Sequence, residues 1–110
     1  MATDQVPRAF QGLQHHYPEL MKASEAVGQA ARRAGPLDEK QIQLIQLAAS
    51  AAIRSEGAVH SHVRRALAAG ASPEEIRHAL IVLGSTIGFP TAIAAVSWAD
   101  DVLAPKAPSA

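Results

Sequence analysis

Apolar residues recur at helical spacing along most of this 110-residue chain, and glycine or proline separates the resulting segments. This pattern favours helices, because residues three or four positions apart share one helix face. Apolar residues make up 48% of the chain and aromatic residues only 4%, so small and aliphatic side chains must form the core. Alanine has the highest helix propensity. With no alternating strand pattern, the sequence predicts an all-α protein.

Two helix starts are marked by capping residues. Asp38 and Gln41 stand three positions apart ahead of an apolar segment, which is a capping-box pattern. Ser72, Pro73 and Glu75 combine an N-cap serine, a proline at the first helical position and a glutamate three residues after the cap. We therefore expect one helix to begin after Asp38 and another after Ser72.

The remaining boundaries predict about five or six helices in one domain, residues 1–110. Two N-terminal helices meet at Pro18, and the helix after Ser72 is expected to continue to Gly88. The last helix then carries small residues that allow close packing: Ala92, Ala95 and Ala99. Residues 1–17 are expected to form a peripheral N-terminal arm or helix, and 104–110 a frayed tail.

The helix after Asp38 carries apolar residues around most of its circumference. One set at helical spacing is Ile42, Ile45, Ala49, Ala52 and Ile53, and a second set is Leu44, Leu47, Ala48 and Ala51. Such a helix is expected to be buried on several sides or shared with a neighbouring subunit. Because a chain of this size buries only about two-thirds of its unfolded surface, a homo-oligomer would add stability.

Charge and cysteine content exclude several classes of protein. Ten basic residues balance ten acidic ones, without the basic surface expected of a nucleic-acid-binding protein. The chain has no cysteine, which excludes disulfides, thiolate nucleophiles and dithiol peroxidase chemistry. Residues 1–8 lack a signal-peptide core, and no stretch approaches the roughly 18 apolar residues of a membrane span. We expect a cytoplasmic protein without a membrane or nucleic-acid partner.

Four stretches carry motifs of a known family. Residues 37–45 read Leu-Asp-Glu-Lys-Gln-Ile-Gln-Leu-Ile, residues 62–70 begin with a histidine, residues 71–76 hold the second helix start, and residues 88–90 read Gly-Phe-Pro. Together they resemble the carboxymuconolactone decarboxylase and alkylhydroperoxidase D-like family. The resemblance covers residues 37–90 tightly and the N-terminal helices loosely. It implies a compact orthogonal helix bundle that assembles as a trimer or hexamer.

Within this resemblance, His62 falls on the family histidine. Ser55 and Ala58 stand where the redox branch of the family has two cysteines, and Gln43 stands where that branch has a glutamate. The resemblance therefore implies a cysteine-free branch that cannot reduce peroxides through a disulfide. The spacing of Glu56, His62 and Arg64 is closer to the decarboxylase branch.

Decarboxylation of an unsaturated lactone acid requires donors at a developing oxyanion and an acid that protonates carbon. His62 is the candidate acid. Glu56 would orient an imidazole and Ser55 would donate a hydrogen bond, and these three residues form the candidate catalytic set. The candidate substrate-binding residues supply hydrogen bonds or positive charge: Gln43, His60, Arg64 and Arg54. No cofactor is required. The alternative is a catalytically inactive member of the fold that binds a ligand or serves in assembly.

The sequence leaves two alternatives open for the histidines of the helix that carries His62. Glu56 and His60 are four positions apart and could equally form a solvated surface pair, and either His60 or His62 could face the pocket. His60 and His62 lie about 200° apart on a helix, so they cannot chelate one ion together. Because no cysteine or third ligand stands at a suitable spacing, the sequence predicts no metal.

Overall fold

The computed structural model describes residues 8–105, and every regular element in that range is a helix. The helices are α1 (Arg8–His16), α2 (Pro18–Arg33), α3 (Glu39–Ala52), α4 (Glu56–Ala68), α5 (Pro73–Ile81), α6 (Gly84–Ile87) and α7 (Phe89–Leu103). The predicted all-α class is confirmed. Residues 1–7 of the predicted arm and 106–110 of the predicted tail lie outside the described range.

The chain divides after Leu37 into two compact units. The expectation of one domain stays a prediction, and each unit is described by itself. In the first unit, α1 and α2 pack on each other, and α2 starts with Pro18 in its first turn, as predicted. The backbone N–H of Ala34 donates to the Ala31 carbonyl and ends α2. Both helices leave large apolar side chains exposed, Leu13 on α1 and Val27 on α2 among them.

In the second unit, α3, α4, α5 and α7 enclose one hydrophobic core. Helix α4 packs on α3 and α7, and α5 packs on α7 and α3. The fully buried core side chains include Leu47, Val59, Val63, Ile76 and Leu80. Helix α7 contributes its predicted small residues, since Ala92, Ala95 and Ala99 are all buried. Short side chains at this spacing let α7 approach its neighbours closely.

Both predicted capping boxes are present. The Asp38 carboxylate accepts from the Gln41 backbone N–H at 2.8 Å, and the Gln41 side chain accepts from the Asp38 N–H at 3.0 Å. The Ser72 hydroxyl accepts from the Glu75 N–H at 3.0 Å, and the Glu75 carboxylate accepts from the Ser72 N–H at 2.8 Å. These bonds satisfy backbone donors that the first turn of a helix leaves unpaired, so α3 and α5 begin where the sequence places them.

The predicted helix from Ser72 to Gly88 is divided in two. Helix α5 ends at Ile81, the Leu83 N–H bonds the Leu80 carbonyl three residues back, and α6 begins at Gly84. A Cβ on Gly84 would lie 3.4 Å from the Phe89 ring, an ordinary van der Waals contact, so the ring does not require a glycine there. Glycine weakens a helix, and the break adjoins this residue. This break adds one short helix to the predicted number.

The Lys40 ammonium joins α3 to the start of α5 by donating to the Glu75 carboxylate at 2.9 Å. The Ser72 backbone N–H, followed by Lys40, holds the pKa of the Glu75 carboxyl below its ordinary value. The hydrogen bond to Glu75 raises the pKa of Lys40. A carboxyl with a lowered pKa in the folded state stabilises the fold above its unfolded pKa and loses that contribution as pH falls through its folded pKa.

Replacing Glu75 by glutamine is therefore expected to flatten the acid side of the stability profile. Glutamine keeps the acceptor for the Ser72 N–H but cannot be protonated, so less stability should be lost below about pH 4. Urea unfolding at a series of pH values measures this slope. The matched control is Glu74→Gln, one residue earlier and exposed. Equal slopes in the wild type and Glu75→Gln would contradict the prediction.

Candidate functional site

The candidate site begins at the turn between α3 and α4. Arg54 has a left-handed backbone with φ of 57°, which turns the chain sharply between the helices. Its guanidinium Nη1 donates to the Thr91 hydroxyl on α7 at 2.8 Å. Ser55 is the N-cap of α4, and its hydroxyl accepts from the Ala58 N–H at 3.4 Å. Arg54 and Ser55, both predicted site residues, therefore also shape this turn.

A hydrogen-bonded chain of three side chains connects α3 to α4. The Gln43 side-chain amide nitrogen donates to the Glu39 carboxylate at 2.7 Å. The Gln43 amide oxygen lies 2.8 Å from Nδ1 of His62. Gln43 is only 2% exposed, while His62 is half-buried. The structure thus brings together two residues predicted for the site, Gln43 and His62, and adds Glu39 behind them.

The hydrogen bonds from Glu39 through Gln43 to His62 determine which imidazole nitrogen carries the proton. An ionised Glu39 carboxylate can only accept hydrogen bonds, so the Gln43 NH₂ group must face it and the Gln43 oxygen must face His62. An amide oxygen also only accepts, and Nδ1 of His62 is therefore the donor. In the neutral imidazole the lone pair is then on Nε2. Glu39 orients Gln43, and Gln43 orients the ring of His62.

Replacing Gln43 by leucine is expected to remove the preference of His62 for the Nδ1–H tautomer. The variant removes the amide oxygen that accepts from Nδ1 of His62 and the amide N–H that donates to Glu39, and losing these two hydrogen bonds costs about 1 to 3 kcal/mol of stability. Imidazole ¹⁵N chemical shifts should report Nδ1–H in the wild type and a larger Nε2–H population in Gln43→Leu. Wild-type shifts of an Nε2–H tautomer would contradict the assignment.

Gln46 provides a matched control on the same helix. Its side-chain oxygen is buried and has no hydrogen-bond partner among residues 8–105. Because leucine removes that unsatisfied acceptor, Gln46→Leu is expected to be neutral or stabilising and to leave the His62 tautomer unchanged. Near Gln46, the buried Ser50 hydroxyl donates to the Gln46 backbone carbonyl at 2.7 Å. Helix α3 thus buries polar groups on the side that carries Gln43.

A second cluster lies on a different face of α4. His60 Nε2 is 2.9 Å from an Asp101 carboxylate oxygen on α7 and 4.0 Å from a Glu56 carboxylate oxygen. Glu56 therefore lies beside His60 instead of orienting His62. Arg64 is about 40° from His60 and about 200° from His62 around the helix axis, which places it on the His60 side of α4. The predicted site residues on α4 are divided between two of its faces, with His62 on one and Glu56, His60 and Arg64 on the other.

Two residues of these clusters were missed from the sequence. Glu39 stands four positions before Gln43, so the ordinary helical pairing rule could have found it. Asp101 is 41 positions after His60, and no local pattern connects them. The Glu39–Gln43 pair thus has a sequence signal in its four-residue spacing, whereas only the fold brings Asp101 to His60.

Comparisons with known proteins agree with the motifs. The sequence profile described as the carboxymuconolactone decarboxylase family matches residues 18–101. An uncharacterized protein of Haemophilus influenzae is 37% identical over 64 residues, which cover 58% of this chain and 57% of that protein. The chain therefore spans little more than half the length of this relative. The profile extends from α2 through nearly all of α7, and the chain belongs to the carboxymuconolactone decarboxylase family.

Proposed function

We propose that this protein catalyses a decarboxylase-type reaction on a small carboxylated or lactone-type metabolite, by acid/base chemistry without a cofactor. The observation that supports it most directly is the series of hydrogen bonds from Glu39 through Gln43 to His62. A buried amide that holds one imidazole nitrogen is a typical way to prepare the other for proton transfer. Family membership supports the same class of reaction.

In the proposed reaction, the bond between the substrate carboxylate and its ring carbon breaks and carbon dioxide leaves. The electron pair moves into the conjugated carbonyl and forms a dienolate. Protonated His62 then delivers the proton on Nε2 to carbon, and solvent later restores it. The neutral ring left behind carries its proton on Nδ1, which is the tautomer that Gln43 stabilises by accepting that hydrogen bond.

The proposed substrate contacts come from the turn before α4. The Ser55 hydroxyl accepts a bond as the N-cap and still has its own hydrogen to donate to a developing oxyanion. The exposed Arg54 guanidinium uses Nη1 for Thr91, and its planar fork has further N–H groups for a substrate carboxylate. The opposite face of α4 carries Arg64, Glu56 and His60. These residues would contact a substrate bound beside His62 only if a second subunit supplied them.

We further propose that the protein acts as a homo-oligomer, a trimer or hexamer, in the cytoplasm. The support for an oligomer is a set of large apolar side chains exposed on the second unit: Ile45, Ile53, Ile81, Val82, Phe89 and Ile93. Exposed apolar surface of this kind is typical of protein interfaces. None of the helices in residues 8–105 is long and apolar enough to cross a membrane.

A catalytically inactive, ligand-binding or assembly protein is the second candidate. Glu56 lies beside His60, so within one subunit it does not provide the carboxylate expected to orient His62. Gln43 cannot serve as an acid or base in place of the glutamate of the redox branch. Binding without turnover would fit these two observations.

The test is a panel of unsaturated lactone acids and β-keto acids, assayed for carbon dioxide release in D₂O. Turnover should yield a product with one deuterium on a carbon of the dienolate, or on the α carbon of the enolate for a β-keto acid, because His62 exchanges its proton with solvent. Release of carbon dioxide with that deuterium supports the proposal. Absence of turnover across the panel, together with a raised melting temperature for one ligand class, would establish the binding protein instead.

A further inference from the structure

Three potential metal ligands meet between α4 and α7, away from His62. The nearest ligand atoms of Glu56, His60 and Asp101 all lie within 4.8 Å of one another. We propose that these three side chains bind a divalent transition-metal ion, with zinc as the preferred ion. The ligand set is one imidazole nitrogen and two carboxylate oxygens, and it leaves at least one coordination position for water.

The three ligand atoms lie up to 4.8 Å apart, so the Glu56 carboxylate must move inward for all three to reach one ion. Two ligands of a tetrahedral zinc at about 2.0 to 2.1 Å lie about 3.3 Å apart. The observed separations from His60 Nε2 are 2.9 Å to Asp101 and 4.0 Å to Glu56, one slightly shorter and one slightly longer. The carboxylate of Glu56 is exposed and can rotate toward the others. His60 and Asp101 are fixed on two helices that pack together in the core.

The charges of the three proposed ligands also favour the binding of a cation. Elsewhere in the second unit, carboxylates pair with full cations, as Glu75 does with Lys40 and Asp100 with Arg77. At the proposed site, two carboxylates flank one imidazole, so with a neutral His60 the three ligands carry a charge of about −2. The Arg64 guanidinium on the same side of α4 offsets only part of this charge, and a divalent ion would offset the rest. The imidazole selects zinc, cobalt, nickel or copper over magnesium and calcium, which prefer oxygen ligands alone.

The proposed metal site is separate from the hydrogen-bonded side chains Glu39, Gln43 and His62. His60 and His62 point about 200° apart around α4, so an ion at His60 would not touch the imidazole of His62. The sequence-based expectation of no metal considered ligands along one helix, whereas Asp101 comes from α7. An ion held there would connect the first turns of α4 to the end of α7 and should stabilise the packing of these two helices.

The experiment is titration of the purified protein with Co²⁺, followed by its visible absorption, and with Zn²⁺, followed by calorimetry and thermal unfolding. One ion per chain is expected, with a higher melting temperature. Asp101→Asn and His60→Gln should each weaken binding at least tenfold and remove the rise in melting temperature. Comparing the affinities, and not only the melting temperatures, separates loss of a ligand from loss of stability.

Two controls address other histidines. The rings of His15 and His16 are adjacent, with centroids 4.8 Å apart, so this pair could bind zinc adventitiously. The double variant His15→Gln/His16→Gln and the single variant His78→Gln should retain the site with unchanged affinity. The proposal is overturned if the ion is lost in either control, or if Asp101→Asn and His60→Gln bind as tightly as the wild type.

Discussion

Replacing His62 by alanine is expected to lower the turnover number of the proposed reaction by a factor of about 10² to 10⁴. The imidazole is the proton donor in that reaction, and alanine leaves only water to protonate the carbanion. Because the ring is half-buried and donates a hydrogen bond to Gln43, the variant should fold, with a stability loss of about 1 to 3 kcal/mol. Substrate affinity should change far less than turnover.

The control for this variant is His78→Ala, a histidine on α5, a different helix from the one that carries His62. Far-ultraviolet circular dichroism and thermal unfolding show whether both variants remain folded. Added imidazole should restore part of the activity of His62→Ala, because a small diffusible acid can enter the vacated space, and should have no effect on His78→Ala. Full turnover in His62→Ala would remove His62 from the mechanism and leave its hydrogen bond to Gln43 with a structural role.

Local chemistry in the sequence determines the helix starts correctly. The bonds that cap α3 and α5 join residues three positions apart, so Asp38 and Ser72 reveal them without knowledge of the fold. The buried face of α3 was harder to predict. Ile45 is 53% exposed and Ile53 76% exposed, whereas Gln43 and Ser50 are buried. A helix with apolar residues on every side has no unique inner face, and the packing of α4 selects one.

The two clusters show the same limit for functional residues. The motif placed Gln43 and His62 in one site, and a hydrogen bond between their side chains joins them. Glu56 was assigned to that site by its spacing from His62, but the helix turns its carboxylate toward His60. Asp101 had no sequence signal, because only the packing of α7 on α4 brings it to His60. Contacts within a helix can be predicted from spacing, and contacts between helices depend on the fold.

Replacing Leu80 by alanine is expected to lower the free energy of unfolding by about 2 to 5 kcal/mol. Leu80 lies on α5 with none of its side chain exposed, in the core shared with α3, α4 and α7. Alanine would leave a cavity that these helices cannot close without breaking their own contacts. Urea unfolding measures the loss. A cost below about 1 kcal/mol would contradict the core position given to Leu80.

Ile81→Ala, one residue later, distinguishes core packing from subunit packing. Ile81 is 53% exposed in the single chain, so in a monomer its truncation should cost less than about 1 kcal/mol. In the proposed oligomer its side chain would be covered by a second copy, and the variant should then show a melting temperature that falls on dilution more steeply than that of the wild type. Leu80→Ala should lower stability at every protein concentration. A small loss that does not change with concentration in Ile81→Ala would place this part of α5 outside any subunit interface.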